Sequence, residues 1–157
     1  MAQSKIQYPN IPGVQWPYHV PGGYRMDLPG PLAALPFLVP RVDSDGNDIG
    51  GLRTPELAVP LGTYTDWDFR SESIGSPDTL IAMAGSFIPF TKTRTERENG
   101  GDPRFSIEER YSNRADYLRR IQDAANRLVD QRYMLKEHVT TVVEEAGQHW
   151  DWMMASK

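Results

Sequence analysis

Proline and glycine are concentrated in one part of this 157-residue chain, and their separation limits what it can fold into. All 13 prolines and 12 of the 13 glycines lie in residues 1–103. Proline fixes φ and removes a backbone donor, so this part cannot hold long helices. Residues 104–157 contain no proline and a single glycine, Gly147. The sequence therefore predicts an α+β protein in which extended segments and short β-hairpins precede a pair of helices.

Three segments follow from this pattern. Residues 1–36, which carry seven prolines, are predicted to form an extended arm that lies along another surface; partial disorder is the alternative. Residues 37–103 are predicted to form a β-hairpin and loop region. Residues 104–157 are predicted to form a helical hairpin. Residues 37–157 together are expected to be one compact unit.

The helical segment has recognisable start signals. Ser106 and Glu109 fit the S-x-x-E capping box, and a second helix start is predicted at Ser112 or Asn113. Another helix is predicted from about Lys136 towards Trp150. Apolar residues at steps of three and four place one face of each helix in the core. These are Tyr117, Leu118, Ile121, Ala125, Leu128 and Val129 in the first, and Val139, Val142, Val143, Ala146, Trp150 and Met153 in the second.

The charged residues on these helices and before them are predicted to form salt bridges. Pairs spaced i,i+4 are Asp116–Arg120 and Asp123–Arg127. Glu145 and His149 have the same spacing and are predicted to pair on the helix surface. A basic cluster precedes the helices. Because acids are interleaved with it, salt bridges that hold a loop in place are favoured, and the alternative is a site for an anionic ligand. The cluster comprises Lys92, Arg94, Arg97 and Arg104.

The acidic run Asp43–Asp48 has the composition of a calcium loop but not its spacing. An EF-hand loop needs glycine at its sixth position and glutamate at its twelfth. Counting from Asp43, those positions hold Asp48 and Thr54. Asp-Gly between apolar runs is instead a hairpin signal, because the turn requires positive φ. The run therefore predicts a β-hairpin turn.

Several blocks of the chain resemble the conserved C-terminal region of the α/β-hydrolase-domain family of esterase-type proteins. The resemblance covers most of the chain and is densest over residues 37–135. The blocks that carry it are 42–67, 84–97, 101–104, 106–111 and 124–133, with a linker-like stretch at 8–14. It implies that a catalytic core with a serine elbow, an acid and a histidine precedes this region in longer members.

The chain itself contains no G-x-S-x-G elbow, so no catalytic residue is carried over. Ser86 is followed by Phe87 where an elbow needs a small residue, and is interpreted as a turn serine. His138 and His149 lie too far apart on one helix to bind one metal, and His19 lies in the proline-rich arm. We expect no metal and no other cofactor.

Two groups of residues are candidates for binding. Arg53, Tyr64 and Trp67 lie in the block of densest resemblance and are predicted to face a substrate pocket, although the aromatic pair can equally seal a small core. Four large apolar residues crowd into the end of the chain, and one helix face cannot bury them all, which predicts a protein interface with a frayed tail as the alternative. They are Trp150, Trp152, Met153 and Met154.

These observations favour a module without its own catalytic residues, which covers or docks onto a catalytic partner of the ester hydrolase type. The alternatives are a non-catalytic structural subunit of a larger complex and a small metal-dependent hydrolase using Glu145, His149 and the 43–48 acids. A protein partner is expected. The net charge of −4 argues against nucleic acid, and no apolar run is long enough to cross a membrane. Without a signal peptide the default location is cytoplasmic, or periplasmic if the chain is processed.

Overall fold

A computed structural model describes residues 9–14, 41–66, 68–71, 73, 75, 80–81 and 84–155. These residues form five α-helices, one 3-10 turn and two sheets of two strands each, so the predicted α+β class is confirmed. Most of the predicted arm, and the first residues of the 37–103 segment, lie outside the described residues. The division into three segments therefore stays a prediction.

The larger of the two sheets pairs β1 (Gly62–Tyr64) with β4 (Phe87–Pro89) in antiparallel fashion, with Thr63 opposite Ile88. A short helix, α1 (Pro55–Ala58), precedes it, and proline in its first turn loses no hydrogen bond there. Gly62 lets the two strands approach, since a Cβ at this position would lie 2.5 Å from the carbonyl oxygen of Ile88. The smaller sheet pairs β2 (Asp68–Phe69) with β3 (Leu80–Ile81).

The acidic run forms the predicted turn. Val42 and Asp48 make a single antiparallel bridge, and Gly46 closes the turn with φ of +83°. The Asp43 carboxylate accepts hydrogen bonds from the amides of Asp45 and Asn47 at 3.0 Å each. The acids are thus used to stabilise their own loop, as expected of an aspartate that begins a turn.

The segment after β4 is a helix, α2 (Arg94–Gly100), and not the predicted loop. Thr93 and Glu96 form a capping box, and Gly101 ends the helix with φ of +70°. The predicted salt bridges of this segment are confirmed. They are Arg94–Glu98 and Arg104–Asp102, and Arg97 pairs with Glu109, which was not among the predicted partners.

The C-terminal third contains α3 (Ile107–Arg110), α4 (Arg114–Asp130) and α5 (Val139–Ala155), with a 3-10 turn at Lys136–His138. The capping box at the start of α3 and the N-cap of α4 at Asn113 are both as predicted. Arg114 at the start of α4 binds Asp151 near the end of α5 at 2.8 Å. The two long helices are therefore antiparallel, which confirms the helical hairpin.

One core joins the sheet to the helices. Tyr117 of α4 stacks on Trp150 of α5 with ring centroids 5.0 Å apart, and Tyr111 meets the edges of both rings. In the short described piece of the arm, Ile11 is buried, so this piece lies against the rest of the protein. The core residues are Val59, Leu61, Phe90, Ile107, Tyr111, Tyr117, Ile121, Ala124, Ala146, Trp150 and Met153.

Candidate functional site

An open groove of about 640 Å³ lies between the segment Ile49–Arg53 and the last turns of α4. We call it the Arg53 groove. Its volume is within the range of small-molecule sites. Ile49, Leu52 and Tyr133 leave 44%, 48% and 66% of their surfaces exposed beside it. The groove is lined by Ile49, Gly51, Leu52, Arg53, Ala58, Ala124, Arg127, Leu128, Gln131 and Tyr133.

Arg53 is held in place at the groove. Its Nη2 donates to the Asp43 carboxylate at 2.9 Å and to the carbonyl oxygen of Leu57 at 2.5 Å. These bonds connect the acidic turn to α1. The Nε atom is buried and has no hydrogen-bond partner among the described residues. Buried donors are seldom left unpaired, so this atom is an exception within the protein interior.

The second cation of the groove, Arg127, has a different environment from the one predicted for it. Asp123, its expected i,i+4 partner, instead accepts a hydrogen bond from Arg119 at 3.1 Å. Within the described part of the chain Arg127 forms no ion pair, and it is exposed. The groove therefore offers one guanidinium that is fixed and one that is available.

Tyr64 does not line this groove, so the two predicted pocket residues that the structure describes are not brought together. Tyr64 contacts Phe87 across the β1–β4 sheet, with ring centroids 5.0 Å apart. Phe87 in turn meets the edge of His149 at 4.7 Å, and Trp152 lies 6.3 Å from Phe87. We call these four residues the aromatic surface. The third predicted pocket residue, Trp67, lies outside the described residues.

Burial shifts the titration of two members of the aromatic surface. It raises the pKa of the Tyr64 phenol well above its ordinary range, and the negative charge of Glu56 adds to this effect. Burial also lowers the pKa of His149, which Glu56 partly opposes. The His149 ring therefore favours the neutral form and packs against aromatic rings instead of pairing with Glu145 as predicted. A neutral imidazole can accept a proton or a hydrogen bond.

The predicted interface residues separate into two pairs. Trp150 and Met153 are 8% and 3% exposed and belong to the core, whereas Trp152 and Met154 are 57% and 43% exposed. Trp150 and Met153 are three residues apart on α5 and therefore share its buried face, whereas Trp152 and Met154 lie two residues apart at different positions around the helix. Trp152 and Met154 are the exposed members of the four.

A buried polar network, which the sequence reasoning missed, supports the sheet. Arg104 is 3% exposed and donates to Asp102, to the hydroxyl of Thr63 and to the carbonyl oxygens of Ile88 and Pro89. It thus spans both strands of the larger sheet. The proximity of Asp102 to Arg104 in sequence was the available signal for an ion pair, but nothing local indicated its burial.

Two further hydrogen bonds and an ion pair connect the acidic turn to this network. The fully buried Asn47 donates to the carbonyl oxygen of Gly62 at 3.1 Å and accepts from the Tyr64 amide at 2.8 Å. Asp45 forms an ion pair with Arg110 of α3. The turn next to the Arg53 groove is therefore fixed to both the sheet and the helices.

Ser86 and His138, which the sequence analysis considered for chemistry, lie in different elements of the structure. Ser86 lies just before β4, where its amide donates to the Thr65 hydroxyl at 2.9 Å. His138 is exposed in the 3-10 turn. Among the residues that the structure describes, no group of three or more histidine, aspartate or glutamate side chains is placed to hold a metal ion. In the same residues, no helix is both long and apolar enough to span a bilayer.

A family model described as an alpha/beta hydrolase domain matches residues 10–144, which is most of the chain. The match includes the acidic turn, the larger sheet, α4 and the residues of the Arg53 groove. Comparison with curated proteins gave no match, and neither did comparison with solved structures.

Proposed function

Since the chain belongs to the alpha/beta hydrolase domain family, we propose that it docks onto, or covers, a catalytic core of the ester hydrolase type carried by another polypeptide. In this arrangement the partner supplies the serine nucleophile, its base and the oxyanion donors. The chain completes the partner's surface and contributes binding residues. The lack of a G-x-S-x-G elbow in the sequence is consistent with this division of work.

The observation that carries the proposal is the exposed aromatic surface where the larger sheet meets α5. Trp152 is more than half exposed although its neighbours Trp150 and Met153 are in the core. It lies 5.8 Å from His149 and 6.3 Å from Phe87, so the exposed indole is part of a supported group of rings. Tryptophan in such a setting is characteristic of residues that dominate binding energy at protein interfaces.

The test is a capture experiment combined with active-site labelling. The tagged chain is used to capture proteins from an extract of its source, and the captured fraction is treated with a fluorophosphonate probe. We expect a labelled serine hydrolase in the captured fraction and no label on the chain itself. Replacing Trp152 by alanine is expected to reduce the recovery of the labelled protein several-fold.

Phe105→Ala is the matched control, because Phe105 is also a largely exposed aromatic residue but lies outside the aromatic surface. Its recovery of the labelled protein is expected to equal that of the unchanged chain. A stoichiometric serine adduct on the isolated chain would disprove the proposal. Recovery of a complex that contains no serine hydrolase would instead favour a structural subunit of a larger assembly.

A further inference from the structure

We infer that the Arg53 groove binds a small carboxylic acid with an apolar body, using Arg127 for the carboxylate and the apolar walls for the rest of the molecule. The isolated chain is expected to bind this acid without a protein partner. Only the identification of the ligand as the acid part of an ester rests on the proposed function. The inference adds the substrate class, which the docking proposal leaves open.

The charge of the groove favours an anionic ligand. Its lining contains two guanidinium groups and no carboxylate, in a chain whose net charge is −4. Asp43 lies next to Arg53 and balances it, but Arg127 has no ion-pair partner in the described residues. An arginine fork matches a carboxylate through two parallel hydrogen bonds. A positive site in an acidic protein is a specific feature because the overall field does not produce it.

The walls of the groove require an apolar body of limited size. Leu128 in the lining is buried, and Ile49 and Leu52 expose much of their side chains beside the groove. Covering these two side chains removes apolar surface from water, which stabilises a complex. The volume of about 640 Å³ accommodates a short acyl chain or a single aromatic ring.

Arg53 contributes a positive charge whose position in the groove is fixed. Its side chain is fixed by Asp43 and by the carbonyl oxygen of Leu57, so it cannot turn freely towards a ligand. Its buried Nε is a donor that no described residue uses. Nε itself is enclosed by the protein, so a ligand in the groove meets the exposed part of the Arg53 side chain. Arg127 is therefore the guanidinium available to the anion, and the fixed Arg53 adds a second positive charge to the same lining.

The experiment is a titration of the isolated, ¹⁵N-labelled chain with hexanoate and with its neutral analogue hexanamide, at constant ionic strength. Hexanoate is expected to shift the amide signals of Leu52, Leu128 and their neighbours in a saturable way. Hexanamide has the same apolar body but no charge, so its affinity is expected to be about 1.5-fold to fivefold lower, the range for an exposed charge interaction.

The variant Arg127→Gln removes the available cation from an exposed helix position without removing any ion pair in the described part of the chain. It is expected to reduce hexanoate affinity to the level of hexanamide and to leave hexanamide binding unchanged. Arg132→Gln is the control, since Arg132 is an exposed arginine just beyond α4 that does not line the groove. It is expected to leave both affinities unchanged.

Three results would overturn the inference: no saturable shift with hexanoate, equal affinities for hexanoate and hexanamide, or equal losses in the two arginine variants. None of these outcomes depends on the capture of a serine hydrolase. Conversely, failure of the capture experiment leaves hexanoate binding as a property of the chain and removes only its assignment to ester cleavage. The two hypotheses therefore fail separately.

Discussion

Asp102 and Arg104, two residues apart in sequence, bind each other through two hydrogen bonds in the interior of the protein. The Nε–Oδ1 distance is 3.0 Å and the Nη2–Oδ2 distance is 2.7 Å. The guanidinium also donates to the hydroxyl of Thr63 and to carbonyl oxygens of β4, so it satisfies acceptors on both strands. A buried charge is tolerated when every one of its hydrogen-bonding groups is used in this way.

We predict that Arg104→Ala lowers the free energy of unfolding by about 3–5 kcal/mol, because Asp102 is left charged and unpaired in the interior. Urea denaturation measures the loss. Arg104→Lys is expected to be nearly as damaging, since a lysine cannot serve the same set of acceptors. The control is Arg94→Ala, which breaks the exposed pair with Glu98 and is expected to cost no more than about 1 kcal/mol. Equal losses in the Arg94 and Arg104 variants would contradict this account.

Gly62 is predicted to be essential for the larger sheet. A Cβ there would lie 2.5 Å from the backbone oxygen of Ile88 and 2.6 Å from the Phe87 ring, so the strands would have to separate. We expect Gly62→Ala to lower the free energy of unfolding by about 1–3 kcal/mol, as overpacking does elsewhere. Gly50→Ala is the control, because a Cβ at Gly50 meets nothing within 4 Å. It is expected to stay within about 0.5 kcal/mol of the unchanged protein in the same urea experiment.

Glu109 is predicted to make stability depend on acid pH. The Ser106 amide, the Ser106 hydroxyl and the Arg97 guanidinium lower the pKa of this carboxyl from 4.5 to about 2. A carboxyl with a lowered folded-state pKa contributes stability above its unfolded pKa and loses it as the pH falls towards the folded value. We therefore expect the free energy of unfolding to decline between about pH 4.5 and pH 2.

The variant Glu109→Gln tests this dependence, because the amide oxygen still accepts from Ser106 but does not titrate. The decline in stability over the same pH interval is expected to be smaller in this variant. The pKa of Asp116 is also lowered to about 2, by Arg120 and Arg119. Asp116 therefore causes part of the decline in stability in both proteins. Glu144→Gln on the exposed side of α5 should leave the profile unchanged. Identical pH profiles for the Glu109 variant and the unchanged protein would refute the assignment.

The helical hairpin could be predicted because the sequence signals for it lie within the helices themselves. Capping residues such as Asn113 act within one turn, and the spacing of the apolar residues indicates which face of each helix is buried. The same kind of signal was present for α2, where Thr93 and Glu96 repeat the arrangement of Ser106 and Glu109. The surrounding glycines and charges favoured a loop, so the shorter helix was missed.

The larger sheet and the Arg53 groove could not be predicted because they depend on distant contacts. β1 and β4 are only three residues long and are far apart in sequence, so neither strand shows an alternating pattern. Arg127 was expected to pair with Asp123, and only the tertiary arrangement shows that Asp123 binds Arg119. The resemblance to a hydrolase family identified the region, whereas the placement of each side chain required the fold.

Trp150 and Trp152, two residues apart on α5, are predicted to lose very different amounts of stability on truncation. Trp150 is 8% exposed and stacks on Tyr117, so Trp150→Ala is expected to lower the free energy of unfolding by about 3–5 kcal/mol. Trp152 is 57% exposed, and Trp152→Ala is expected to cost about 1 kcal/mol or less. Urea denaturation followed by circular dichroism measures both. Because the Trp152 variant keeps its fold, its loss of partner capture reports on the interface; a large loss of stability in this variant would place Trp152 in the core instead.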